Sequence, residues 1–391
     1  MLQVLYLVHD VSDPAVRRRV LMLGEGGARV RLAGFRRTAA PVRDVEGIAP
    51  IDFGQTGDGR FAQRLAAVAS AAMSLGSALG GVPRPDLIIA RNLEMLALAS
   101  RAKSVLGGSD IPIVYECLDI HRLLLRDDAV GRAMRLAERR FARNAALLLT
   151  SSPAFLRDYF DARGQVDAPV EIVENRHFEP LPAERGVAFP DGPPAGPPWR
   201  IGWFGALRCR RSLQLLGDFS RRAGGRFETV LRGRPALSEF PDFHAFVEAA
   251  PGISFGGAYR NPEDVEAIYR AVHFSWLIDF FEEGMNSKWL LPNRLYEGCR
   301  FGAVPIAMAG TETARFLQDR GIGIVLREPT AEGLESALGD MDPDRFRALR
   351  AKVVAQERAT WVCDREDCRA LVNRLRRLVA TPRAGLAEAL A

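Results

Sequence analysis

Short apolar runs alternate with longer amphipathic stretches along most of the chain. Strands are predicted at Gln3–Val8, Arg29–Leu32, Leu87–Ala90, Ile113–Tyr115, Ala146–Thr150 and Val170–Val173, with helical periodicity between most of them. Asp13-Pro14, Ser152-Pro153 and Asn261-Pro262-Glu263 each read as a capping residue at a helix start. From residue 180 the composition turns to Pro, Gly and Ala, which predicts a linker over 180–199. A second alternation follows, with strands at Arg200–Phe204, Thr229–Arg232, Ile253–Phe255, His273–Leu277, Val304–Ala307 and Gly323–Leu326. This rhythm predicts the α/β class: two Rossmann-like doubly wound parallel-sheet domains, 1–179 and 200–342, facing a central cleft, then C-terminal helices over 343–391.

Composition agrees with two domains, since 391 residues with 48% apolar and 26% charged content exceed one ordinary core. The net charge of +5 is spread over both halves without a basic tail or stripe, so no nucleic-acid partner is expected. Only Lys103, Lys288 and Lys352 are lysine, so arginine is the cation available for phosphate. The five cysteines lack metal-type pairing, with Cys363 and Cys368 set i,i+5 on an expected helix, and they read as reduced thiols. Leu2 to Val8 runs into His9-Asp10 without a basic leader or cleavage site, so a cytoplasmic location is expected. The uncharged run Leu65 to Val82, interrupted by glycines and serines, predicts a buried or interfacial helix rather than a membrane span.

The densest chemistry lies in Asn286-Ser287-Lys288-Trp289-Leu290-Leu291-Pro292-Asn293-Arg294-Leu295-Tyr296-Glu297. Pro292 suits the first helical position, and the next free amides with Arg294 would face an anion there. Glu297 lies at i+3 from Arg294 and i+4 from Asn293, within reach of a hydroxyl beside a bound phosphate. Phosphate with a neighbouring diol describes a nucleotide. The alternative is an amphipathic helix with Leu295 buried and its charges solvated. Earlier, Trp203-Phe204-Gly205-Ala206-Leu207-Arg208 closes a strand. Gly205 there permits close backbone approach, and Arg208 and Arg211 can flank a diphosphate.

Together with His9 to Arg18 and Tyr115 to His121, these segments resemble the GT-B fold glycosyltransferases that use nucleotide-sugar donors, especially the bacterial exopolysaccharide branch near family 4. The resemblance implies a donor-binding C-terminal domain, with Gly205, Arg208 and Arg211 at the diphosphate, Glu297 at the ribose, and Arg294 where many relatives have lysine. It places the base-binding loop at Gly256 to Pro262, where Tyr259 or Arg260 can stack on uracil, or where the loop is simply capped. It also implies a last helix that crosses back to the first domain, with Trp361 as an anchor; residues after Thr381 read as a tail. Retaining members of family 4 carry two glutamates separated by seven residues, but Trp289 stands where the first belongs. Glu282 and Glu283 come too early, unless a differently shaped loop brings them in.

Without that glutamate, an inverting path needs a carboxylate that takes the acceptor's proton. Asp119 is the candidate base, with Glu116 and His121 in the same loop, and Arg91 and Asn92 are candidates for holding acceptor hydroxyls. Capped turns are the plain alternative for both segments. Arg122 to Arg143 reads as a basic amphipathic helix suited to peripheral contact with an anionic membrane, or as a solvated face. No D-x-D pair follows a C-domain strand, so no metal is expected; Arg208, Arg211, Arg294, Lys288 and helix-end amides would neutralise the diphosphate. The expectation is a cytoplasmic, metal-independent hexosyltransferase with no cofactor beyond its nucleotide-sugar co-substrate. The donor expected is a UDP-sugar, and the acceptor a saccharide or lipid-linked saccharide. A sugar-nucleotide epimerase and a catalytically silent binding subunit are the alternatives.

Overall fold

The computed structural model describes residues 1–57, 61–108, 110–180, 192–240 and 242–380. They divide into two units: residues 1–174, 178–180 and 363–380 form the first, and residues 175–177 and 192–362 the second. Most of the expected 180–199 linker, and all of the expected tail after Thr381, lie outside the described residues.

In the first unit, strands β1 (Leu2–Val8), β2 (Ala28–Arg36), β3 (Ile51–Gln55), β4 (Leu87–Arg91), β5 (Ile113–Cys117), β6 (Ala145–Thr150) and β7 (Val170–Ile172) form one sheet. The sheet is parallel and ordered β3-β2-β1-β4-β5-β6-β7. Every residue of β4, β5 and β6 is buried, as befits strands covered on both faces. Only β3 escapes the strand expectations. Asp52 and Gly54 break its apolar pattern, which an edge strand tolerates.

Helices α1 (Pro14–Glu25), α2 (Phe61–Leu79), α3 (Asn92–Val105), α4 (Ala129–Ala142) and α5 (Pro153–Phe155) supply the crossovers, α5 continuing as a π-helical turn, Leu156–Asp161. Asp13 and Ser152 cap α1 and α5 by accepting from the Ala15 and Ala154 amides. Two helical expectations need correction. Between Leu65 and Leu79 of α2 the buried hydrophobics are Ala71, Leu75 and Leu79 while Met73 is 79% exposed, so the uncharged run is a surface helix with a narrow seam. The segment Arg122 to Arg143 is split into a 3-10 turn, Arg122–Leu125, and α4. That helix turns Arg135 and Glu138 inward and leaves Leu136 exposed. Each buried group is satisfied: Arg135 donates to the Leu124 and Arg126 carbonyls, and Glu138 accepts from Tyr115, Tyr159 and Gln165.

The two short strands β8 (His177–Phe178) and β15 (Val362–Cys363) pair with each other. The second unit contains β9 (Trp199–Leu207), β10 (Phe227–Pro235), β11 (Ile253–Phe255), β12 (Phe274–Trp276), β13 (Val304–Met308) and β14 (Ile324–Leu326). They form a parallel sheet ordered β11-β10-β9-β12-β13-β14. Its helices are α6 (Arg210–Arg222), α7 (Phe243–Ala249), α8 (Val265–Arg270), α9 (Asn293–Arg300), α10 (Glu312–Arg320), α11 (Ala331–Leu338), α12 (Pro343–Val354) and α13 (Arg358–Trp361). Trp361 is fully buried in this unit, 6.1 Å from the Phe316 ring.

Two helix starts differ from expectation. The residue Pro292 caps α9 instead of opening it, with φ −74° and ψ 152°. Helix α8 starts at Val265, because Asp264 closes the preceding turn onto the Arg260 amide while the Asn261 side chain is drawn to Glu297.

The last helix, α14 (Arg365–Ala380), belongs to the first unit and packs on α1. Its Leu371, Val372, Leu375 and Leu378 join the core around β1, and Val372 and the Cys368 carbonyl leave no room for a side chain at Gly26. Cys363 lies in β15 and Cys368 in α14, so the two are not on one helix; all five cysteines are buried and none forms a disulfide. Among the described residues, no helix is long and apolar enough to cross a membrane.

Candidate functional site

Each sheet reverses its strand order once, between β1 and β4 in the first unit and between β9 and β12 in the second. Doubly wound sheets hold ligands outside the carboxyl ends of the strands at such a point. Candidate residues collect at both.

In the second unit β9 runs out through Gly205, which has φ +105°, beside Gly233 of β10 at φ +134°. A side-chain carbon on Gly233 would stand 1.9 Å from the Gly205 carbonyl oxygen, so the strand ends touch through bare backbone. A carbon on Gly205 would lie 3.8 Å from the Tyr259 hydroxyl.

Tyr259 is half-buried, and Glu297 and Arg294 act on its phenol. Burial, and then Glu297, push the Tyr259 hydroxyl far above its ordinary range and keep it protonated. Glu297 itself is only 6% exposed; one oxygen accepts from Asn261 Nδ2 at 2.9 Å and the other from Tyr269 at 3.4 Å. Arg294 sits in the first turn of α9, whose start has no side-chain cap, and its Nη1 is buried without a hydrogen-bond partner. The structure therefore brings Gly205, Tyr259, Arg294 and Glu297 together.

Arg208 and Arg211 go elsewhere. Arg208 pairs with Asp279 at 3.3 Å and lies over the Phe281 ring, while Arg211 pairs with Glu283 at 2.6 Å and lies over Phe280. One loop after β12 thus holds both arginines, a pairing that no sequence spacing announces. Arg260 is exposed and tied to Asp264 at 3.0 Å. Lys288 and Asn293 are exposed, at the end of a 3-10 turn and at the start of α9.

In the first unit the candidate loop after β5 separates into different environments. Glu116 is fully buried within β5. It accepts from Arg19 Nε at 2.6 Å, from Arg91 Nε at 2.7 Å and from the Tyr6 hydroxyl. Burial alone would raise its pKa, but Arg91 and Arg19 hold it down at about 2. So placed, Glu116 is the centre of an internal network and has no face for an acceptor; Arg91, 2% exposed, is its partner and not a hydroxyl-binding residue. Asp119 is exposed. His121 is half-buried and caps the 3-10 turn, with Nδ1 accepting from the Leu123 amide at 3.3 Å. Burial, then Arg64, lower its pKa.

Asn92 lies 3.3 Å from His9, a residue outside the carboxylate candidates. Its signal was position, the first residue beyond β1. Nearby, Arg64 and Glu94 pair.

Comparison with known proteins agrees with this architecture. Residues 11–176 match the family described as Glycosyl transferase 4-like domain. The succinoglycan biosynthesis protein ExoL of Rhizobium meliloti (strain 1021) is 58% identical over 377 residues, covering 96% of this chain and 93% of that protein. Among solved structures, HepE of Anabaena in complex with UDP and glucose superposes with a TM-score of 0.66 at 12% identity, over 96% of this chain and 100% of HepE. Sucrose-phosphate synthase from Thermosynechococcus elongatus gives a TM-score of 0.68 at 14% identity, over 96% and 98%. Two doubly wound units of this kind are the GT-B fold, and with its identity to ExoL across nearly the whole length the chain belongs to the family of glycosyltransferases carrying the glycosyl transferase 4-like domain.

Proposed function

We propose that the second unit binds the UDP portion of a nucleotide sugar and that the first unit holds a saccharide or lipid-linked saccharide acceptor of bacterial exopolysaccharide synthesis. The observation that carries the donor reading is Arg294, whose Nη1 is buried and unpartnered in the uncapped first turn of α9. A fixed guanidinium beside free helix amides is a fit for diphosphate. Asn261 and Tyr269 fix the Glu297 carboxylate one turn further on, and a carboxylate so placed is an acceptor for ribose hydroxyls. Tyr259 then borders the base, as uracil stacking requires.

The ion pairs of Arg208 and Arg211 are partly exposed and contribute about 0–1 kcal/mol each, so a diphosphate can recruit the two arginines. With Lys288 they would offset the charge that grows on the leaving group. The name of ExoL directs the acceptor towards succinoglycan-type polysaccharide. A lipid-linked acceptor would bring the enzyme to the membrane surface, towards which α4 can turn the exposed Arg132, Arg139, Arg140 and Leu136.

A thermal-shift series with nucleotides and nucleotide sugars tests the donor reading, because a ligand selective for the native state raises the midpoint. UDP and one UDP-sugar are expected to raise it, and Glu297→Ala to abolish the rise. No response to any nucleotide, or an unchanged response in Glu297→Ala, would refute it. Conversion of the sugar without an acceptor would point to an epimerase instead, and binding without turnover to a silent subunit.

A further inference from the structure

One side chain ties the end of β10 to the loop that follows β11. Arg232 leaves β10 opposite Phe204 of β9, the residue before the Gly205 turn. Its guanidinium donates from Nε to the Gly257 carbonyl at 3.2 Å and from Nη2 to the Ala258 carbonyl at 3.1 Å. The backbone strengthens the same seam. The Gly256 amide donates to the Leu231 carbonyl and the Gly233 amide to the Gly257 carbonyl, each at 2.9 Å. Glycine is needed at position 256, because a side-chain carbon there would stand 2.6 Å from Arg232 Cδ.

The neighbouring arginines meet acids: Arg208 pairs with Asp279, Arg211 with Glu283 and Arg260 with Asp264. Arg232 forms no ion pair among the described residues, and its planar fork is given to peptide carbonyls.

That choice gives the loop a polarity. The Gly257 carbonyl accepts from both the Gly233 amide and Arg232, so its two lone pairs are taken, whereas the Ala258 carbonyl keeps one. Among the described residues the Ala258 and Tyr259 amides make no hydrogen bond. The loop therefore offers N–H donors beside a single carbonyl acceptor. It also borders the donor turn, since a side-chain carbon on Gly205 would lie 3.8 Å from the Tyr259 hydroxyl.

We propose that Arg232 is a positioning residue for the nucleotide base. By holding the Gly257 and Ala258 carbonyls it makes the loop select a pyrimidine that presents a carbonyl oxygen beside an N–H, as uracil does, over one that presents an amino group beside a bare ring nitrogen, as cytosine does. The inference rests on the donor reading above and adds what sets the choice of base. Uracil O4 accepts from a loop amide while N3–H donates to the Ala258 carbonyl. Cytosine in the same place sets donor against donor and acceptor against acceptor. Without the Arg232 fork the loop peptides can turn and offer carbonyls as readily as amides, so the choice fades while the ribose and diphosphate contacts stay.

Calorimetric titration of the full chain with UDP and with CDP, which differ only in the base, tests this. The wild type is expected to bind UDP at least about 10-fold more tightly than CDP. Arg232→Leu should bring the two affinities within about threefold of each other, chiefly by weakening UDP. Arg232→Lys keeps the charge but replaces the fork by a point charge, and it should shrink the ratio as well. Gly256→Ala leaves the arginine in place and pushes its stem off the loop, which gives a second route to the same loss. Retained CDP affinity in the variants reports that the ribose and diphosphate contacts are folded. An unchanged ratio in Arg232→Leu or Arg232→Lys, or a fall shared equally by UDP and CDP, would overturn the assignment. Equal affinities in the wild type overturn the selection of base and leave the donor site standing; absence of binding by either nucleotide removes both.

Discussion

Glu116 keeps a negative charge where no water reaches it, and its neighbours decide the outcome. Burial opposes ionisation, while Arg91, Arg19 and the Tyr6 hydroxyl outweigh it and bring the pKa to about 2 from 4.5. A carboxylate depressed in the folded state stabilises above its unfolded pKa, and that contribution is lost as pH falls from 4.5 towards 2. The amount is on the order of 3 kcal/mol. Glu116→Gln should cost about 3–5 kcal/mol at neutral pH, since it strands two buried guanidinium groups, and should flatten the acid dependence of the urea midpoint. A loss below about 1 kcal/mol would show that the arginines find other partners. Glu138 has the opposite sign. Surrounded by neutral donors, with burial raising its pKa, it contributes stability at low pH that is lost as pH rises through the folded value.

At the scale of elements, the contact of β9 with β10 sets the shape of the donor loop. Replacing Gly233 with Ala puts a carbon 1.9 Å from the Gly205 carbonyl at a φ of +134°. The strand ends must part, with a stability loss of about 1–3 kcal/mol, and UDP affinity should fall with it because Tyr259 packs against the same turn. Calorimetric titration of UDP would check this; unchanged affinity would separate the turn from the site.

Much at this scale was legible in the sequence. The apolar runs of both sheets mark their strands because strands buried on two faces carry little else, whereas β3 at an edge mixes in Asp52 and Gly54 and left no signal. Pro292 and Glu297 pointed to α9 within one residue of its start. Other features depend on tertiary contacts. Spacing alone does not say that Arg208 and Arg211 face acids from the β12 loop, that Arg91 and Glu116 sink into one network, or that α4 buries its charges and exposes Leu136. The place of His9 comes from strand order, which periodicity does not encode.

For the molecule as a whole, charge and apolar surface fall differently on the helices of the first unit. Helix α4 exposes Arg132, Arg139 and Arg140 with Leu136, and α2 exposes Leu65 and Met73 on a helix without charge beyond Arg64. Flotation with anionic vesicles should therefore recover the protein at low salt and lose it as salt rises, and Arg139→Glu with Arg140→Glu should weaken recovery. Equal recovery with neutral vesicles would mean that the arginines take no part.

The position of α14 bears on how the protein is made. The first unit begins to emerge from the ribosome before the second, yet the helix that covers β1 and α1 is translated only after all of the second unit. The second unit can settle while synthesis continues. Its older neighbour must wait with Leu23, Val20 and the strand below them uncovered, so chaperones that recognise nascent apolar segments have their longest opportunity there.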